Sequence, residues 1–190
     1  MKNIILFFIA FMTAIASSAE AQNRNLVSGE SSWMKISGTS TIHDWECEVQ
    51  EVNGSLALDP AAEVPVTSLS FAVPVTSIES GKGAMNRKIY DALKRGDHPQ
   101  IRFTLTDAAQ TGGSGNTVTM DVTGDLQIAG VTRSVTLQVS GQQNANGWLF
   151  EGSYTMNMND FEVSPPTAML GTIRSGEEVT ITFNLRVSNG

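Results

Sequence analysis

His43 and Asp44 stand side by side, His98 is the only other histidine, and Cys47 is the only cysteine. These residue types can carry general-base, metal-binding or nucleophilic chemistry. Neighbours along a strand point to opposite faces, so His43 and Asp44 share one site only where the backbone turns. Two separated histidines fall short of the three or four ligands that zinc takes at characteristic spacings, and no metal site is expected. No serine stands in a nucleophile elbow, and no carboxylate pair departs from a solvated face, so no catalytic residue is assigned. Cys47 shares the parity of Trp45 and Val49 and reads as a buried core thiol. A single cysteine cannot form an internal disulfide. His43 reads either as a rim histidine bonded to a carbonyl or to water, or as a contact for a ligand head group.

The basic residues are distributed unevenly. Lys82, Arg87, Lys88, Lys94 and Arg95 are five of twelve in a chain of net charge -7. An acidic chain of this composition has no electrostatic footprint for nucleic acid. Two readings fit the cluster: Lys94 and Arg95 offset a helix C-terminal dipole while the rest are solvated, or the group meets an anionic membrane surface.

The elements that must position these residues are strands. From Val179 to Val187 the odd positions read Val, Ile, Phe, Leu, Val, with Thr180, Thr182, Asn184 and Arg186 between them. The same alternation runs through Val118, Met120 and Val122, through Leu126 and Ile128, and through Val135, Leu137 and Val139. A period of two sends one set to each face of a strand. An all-β chain of about eight antiparallel strands is therefore predicted, with one apolar face. Such a sheet packs against a second sheet, or curls and encloses an apolar cavity.

Asn53-Gly54 marks a hairpin, or else a bend within one curved strand, because the apolar parity changes between Val49 and Val52. Ala129-Gly130 and Asn146-Gly147 mark turns, and residues 111–116 read as a glycine-rich loop without the lysine of a phosphate-binding loop. One segment breaks the rhythm. Met85, Ile89 and Leu93 recur at every fourth position, which predicts a short amphipathic helix near residues 84–95, stopped by Gly96 and Pro99. Its simplest task is to cover an open end of the sheet. Residues 161–176, containing Pro165-Pro166, are expected to form a long loop at one rim.

Lys2, the apolar run from Ile4 to Ile15 and Ala19-Glu20-Ala21 have the layout of a signal peptide over residues 1–21. Residues 22–190 are then expected as one domain, periplasmic or secreted.

Four stretches carry a family resemblance. The first is Ile36-Ser37-Gly38-Thr39-Ser40-Thr41-Ile42-His43-Asp44-Trp45. The second runs from Phe71-Ala72-Val73-Pro74 through Met85-Asn86-Arg87-Lys88 to His98-Pro99-Gln100-Ile101-Arg102-Phe103. The third is the hairpin from Gly124 to Leu137, and the last is Met158-Asn159-Asp160-Phe161 with Glu178-Val179-Thr180-Ile181. In order and spacing these resemble the YceI-like family of exported bacterial lipid-binding proteins. The resemblance implies a lipocalin-like antiparallel barrel around a long apolar chain: a polyisoprenoid, an isoprenoid quinone or a fatty lipid. The chain departs from the common pattern at Ile42-His43-Asp44-Trp45, at Glu162 and at Pro165-Pro166.

The expected ligand wall is Trp45, Phe71, Ile89, Leu93, Phe103, Leu105, Leu126, Ile128, Leu137, Met156, Met158, Phe161 and Phe183. His43, Arg87, Lys88 and Lys94 are expected to meet a head group or an anionic membrane. No cofactor is expected beyond such a lipid. Two rivals stay open: a filled sandwich that presents the Pro165-Pro166 loop or the basic helix to a partner, and an enzyme using His43 or His98 as a base on a bound lipid.

Overall fold

The computed structural model describes residues 24–26, 32–59 and 61–188. The expected signal peptide lies outside them. In chain order the elements are β1 (Arg24–Asn25), β2 (Trp33–Ser40), β3 (Trp45–Val49), β4 (Asn53–Leu58), β5 (Val66–Pro74) and β6 (Ile78–Glu79). The helix α1 (Gly83–Ala92) follows, then β7 (Gln100–Ser114), β8 (Thr117–Ile128), β9 (Val131–Asn144) and β10 (Gly147–Asn157). The chain finishes with β11 (Thr167–Ala168) and β12 (Ile173–Ser188).

All pairings are antiparallel, and the sheet runs β1-β4-β5-β7-β8-β9-β10-β12-β2-β3-β6, with β11 on β12. The alternation predicts about eight strands; twelve are present among the described residues, because three two-residue pieces add to the seam and the rim and the long second strand divides into β3 and β4. The sheet curls until its ends meet around residues 50–52. There Leu26 N–H donates to Val52 O at 2.6 Å and Gln50 N–H to Ser77 O at 2.9 Å. Ser77 Oγ–H also lies 3.2 Å from Glu51 O and 2.8 Å from Pro74 O. The result is an all-β, lipocalin-like antiparallel barrel with one α-helix among the described residues.

Local chemistry explains the turns. Ala129 and Gly130 both have positive φ, 49° and 91°, as the tight hairpin between β8 and β9 requires. Asn53-Gly54 is not a hairpin: it sits inside β4, paired to Ala72 and Phe71 of β5. The chain instead bends between β3 and β4, and Gly54 is needed because a β-carbon there would stand 2.4 Å from Ser70 O. The expected 111–116 loop shrinks to Gly115-Asn116, since β7 continues to Ser114 through bulges and a glycine at φ 122°. The 161–176 segment likewise holds a short β11–β12 hairpin where the sequence predicts irregular chain.

The helix ends earlier than Gly96. Lys94 takes a left-handed φ of 54°, and Arg95 N–H donates back to Tyr90 O at 3.0 Å, a Schellman-type stop. Asn86 is buried and anchors α1: its Oδ1 accepts from Ser80 N–H at 2.9 Å and Ser80 Oγ–H at 2.6 Å, and its amide donates to Glu79.

Candidate binding cavity

The inward positions do not fill the barrel. They bound a cavity of about 540 Å³, within the roughly 300–1,000 Å³ range of small-molecule sites. Buried apolar residues form two separate clusters, one around Met120, Phe150 and Phe161, the other around Cys47, Val52 and Ile78. Ile36, Trp45, Leu69, Phe71, Leu93, Ile101 and Leu185 pack against both and remain only partly buried. All seven line the cavity. A filled core would bury them.

Glycines explain why the space stays open. A β-carbon on Gly38 would stand 2.5 Å from the Trp45 ring, one on Gly124 2.3 Å from Phe103, and one on Gly152 2.5 Å from Phe183. Each ring therefore lies over a neighbouring strand where a side chain is missing, flat against the wall rather than across the lumen. Trp45 is further fixed by its Nε1–H donating to Thr39 O at 2.9 Å. Phe71 and Phe103 are paired across β5 and β7, with stacked rings 5.3 Å apart. Trp148, Val118 and Val187 are buried in the same core cluster as Met120 and Phe150 but do not line the cavity.

The expected wall assembles with one exception. Phe103, Leu126, Ile128 and Leu137 line the cavity from β7, β8 and β9. Trp45, Phe71 and Phe183 do so from three other strands, Met156 from β10, and Met158 and Phe161 from the turn that follows. Met85, Ile89 and Ala92 reach it from α1 and Leu93 from the residue that caps its end, so the helix closes part of the barrel with its apolar face. Leu105 does not line it. It pairs with Gly124, over which the Phe103 ring lies, and packs against the core cluster around Met120 and Phe150 without reaching the lumen.

Among the lining residues, Trp33 at the start of β2 is exposed, and so are Ile42, His43, Lys82, Ala84, Lys88 and Thr167, which group around the β2–β3 turn and α1 and form the mouth. Hydrogen bonds tie these pieces together. Lys88 Nζ–H donates to Thr167 O at 2.6 Å, Thr167 pairs with Arg174, and Thr41 N–H donates to Arg174 O at 3.0 Å. The β2–β3 turn is held by Ser40 Oγ–H donating to His43 O at 2.7 Å, and His43 Nδ1 lies 2.8 Å from Asp44 O. Lysines and a histidine face the opening, and among the described residues no Asp or Glu lines any part of the cavity.

Of the four residues expected to meet a head group or a membrane, His43 and Lys88 line the mouth, and Arg87 and Lys94 do not line the cavity. Both are exposed and off the cavity, Arg87 on the side of α1 away from Met85 and Ile89, Lys94 beyond the end of the helix. Lys82 also lines the mouth, which sequence reasoning does not single out; its place immediately before the first helical residue is the available signal.

His98 lies elsewhere, its ring against Gly130, so the two histidines do not meet. Among the described residues no three His, Cys, Asp or Glu side chains converge as metal ligands. Cys47 is buried and lines the cavity, and desolvation, with Glu46 and Glu79 adding to it, pushes its thiol up to about 11. Desolvation, then Asp160, also raises the Tyr154 phenol.

Residues 23–187 match the family model described as YceI-like domain. The chain belongs to the YceI-like family. Among curated relatives, a UPF0312 protein of Pseudomonas syringae pv. tomato is 27% identical, over 92% of this chain and 93% of its own. Among solved structures, Burkholderia cenocepacia BcnA superposes on this YceI-like chain with a TM-score of 0.68 at 23% identity, covering 83% of this chain and 96% of its own. A polyisoprenoid binding domain from Saccharophagus degradans, implicated in plant cell wall breakdown, gives 0.65 at 14% identity, over 86% and 97%. At these identities the two structures establish that the YceI-like chain shares their fold.

Proposed function

We propose that this YceI-like protein is a non-catalytic carrier or store for one long-chain lipid. The hydrocarbon lies in the cavity and the head group at the mouth beside Lys82, Lys88 and His43. The observation that carries this reading is the open, almost wholly apolar lumen, whose lysines and histidine cluster at one end. Transfer of each methylene from water to an apolar wall contributes about 0.8 kcal/mol, so a dozen give roughly 10 kcal/mol. Ordering costs remove several of these, leaving affinity in about the micromolar range or better.

Membership of the YceI-like family and the shared fold with a polyisoprenoid binding domain support a lipid cargo. The cargo class is a polyisoprenoid, an isoprenoid quinone or a fatty lipid. The layout of residues 1–21 supports action after export, in a periplasm or outside the cell. An aqueous space between membranes is where a hydrocarbon needs a carrier.

Displacement of a fluorescent long-chain fatty acid tests the reading and the cargo class together. Saturable, stoichiometric uptake with displacement by a prenyl phosphate, a quinone or a fatty acid supports it, and the strongest competitor names the class. Failure to take up any of these probes contradicts it.

A further inference from the structure

The large apolar side chains that the described residues leave exposed are Trp33, Ile42, Met169 and Leu170, and three of these gather at the cavity mouth. Met169 and Leu170 form the tip of the β11–β12 hairpin, 73% and 109% exposed, and Ile42 on the β2–β3 turn is 60% exposed. Thr41, the neighbour of Ile42, is bonded to that hairpin through Arg174 O at 3.0 Å and Thr172 O at 3.4 Å. The two turns are therefore one structural unit. Thr167 and Ile173, on either side of the tip, line the cavity.

The tip has an unusual backbone. Met169, Leu170 and Gly171 follow one another at φ 49°, 55° and 87°. Positive φ disfavours any residue with a β-carbon, a leucine more than the asparagine or glycine usual at such places. Neither burial nor backbone preference accounts for two apolar side chains held there. Cations flank them: Arg174 Nε–H donates to Gly171 O at 3.0 Å, and Lys88 Nζ–H to Thr167 O at 2.6 Å.

We propose that Met169, Leu170 and Ile42 are a membrane-docking tip, which inserts into the interface of a bilayer containing anionic lipid and sets the cavity mouth against it. Apolar prongs beside cations are the combination that holds a peripheral protein at such an interface. Continuity with the lumen fixes the occupant. A chain leaving the bilayer at this tip enters an apolar passage without crossing water. The docking surface is thus the hairpin tip rather than the Arg87 and Lys94 side of α1.

Co-sedimentation of the exported, processed protein with phosphatidylcholine vesicles, with and without phosphatidylglycerol, tests this. The probe variant is M169G/L170G, which removes both side chains and suits the left-handed backbone. The wild type binds the anionic vesicles, and the variant binds them at least tenfold more weakly with an undiminished Tm. Equal binding by the two, or no vesicle binding by the wild type, overturns the proposal. A wild-type dimer that the variant converts to monomer, without vesicle binding, also overturns it and makes the tip a contact between copies. Transfer of a fluorescent fatty acid from vesicles, which rests on the carrier reading, slows in parallel in the variant. Vesicle binding that is lost as expected, with no uptake by either protein, sinks the carrier reading and leaves the docking tip standing.

Discussion

Phe183 on β12 is the cross-strand partner of Gly152 on β10, and its ring occupies the place where a β-carbon on residue 152 would stand. The pair sets the width of the lumen at that level. Gly152→Ala forces the ring to swing inward, because a separation of 2.5 Å is below any tolerated carbon contact. The expected outcome is about a tenfold loss of affinity for the longest chains in a series of fatty acids, with shorter chains less affected. Gly124→Ala, acting on Phe103, should do the same. Titration across chain lengths checks this, and an unchanged length profile would show that the rings do not set the lumen.

The mouth predicts a charge preference. Lys82 and Lys88 face it with no opposing carboxylate in the lining. Lys82→Glu and Lys88→Glu should each weaken a long-chain carboxylate by about tenfold, roughly 1.4 kcal/mol. The corresponding long-chain alcohol should bind as before. Equal losses for acid and alcohol would place the head group elsewhere.

Asn86 predicts a stability effect with a binding consequence. Asn86→Ala leaves the Ser80 N–H and the Glu79 carboxylate without their amide partner. An unpaired group at such a site costs about 1–3 kcal/mol. Denaturant unfolding should show a loss of that size, and bound fatty acid should dissociate faster as α1 loosens over the cavity. A neutral substitution would mean that the packing of Met85 and Ile89 alone holds the helix.

Cys47 predicts a slow thiol with a defined pH window. Burial first, then the neighbouring carboxylates, raises it from 9.0 to about 11. The thiolate fraction near neutral pH is then about a hundredfold below that of an unperturbed thiol. Because the folded value is the higher one, the stability tied to the neutral thiol is complete below pH 9 and is lost as pH rises through 11. Maleimide labelling of the native protein should be slow at neutral pH, accelerate in alkali, and slow further when a fatty acid fills the cavity. Labelling as fast as in the denatured chain would mean the thiol is open to water. Cys47→Val should flatten the alkaline fall in stability, and an identical fall in both proteins would assign it to other groups.

The barrel itself is legible in the sequence, because period-two alternation in β8, β9, β10 and β12 leaves few other arrangements. Whether the lumen is open is not. Filled and hollow barrels share that alternation, and the difference lies in glycines such as Gly38, Gly124 and Gly152 standing opposite or diagonal to aromatic rings. That relation exists only once the strand register is known. Leu105 shows a related point: parity turns it inward, where it does pack on the core, but parity does not tell which inward residues reach the lumen. The helix is legible from Met85, Ile89 and Leu93, but its end is not, because a left-handed Lys94 carries no sequence mark of the stop it makes. Asn53-Gly54 shows the converse, a strong turn signal that the pairing of β4 with β5 overrides.

The most direct test is mass spectrometry of the purified full-length product, first native and then after organic extraction. A barrel that carries lipid should show one copy of a long-chain species per protein, lost on extraction and restored by incubation with the same lipid. A protein that emerges free of lipid, and stays free when offered prenyl phosphates, quinones and fatty acids, would contradict that role.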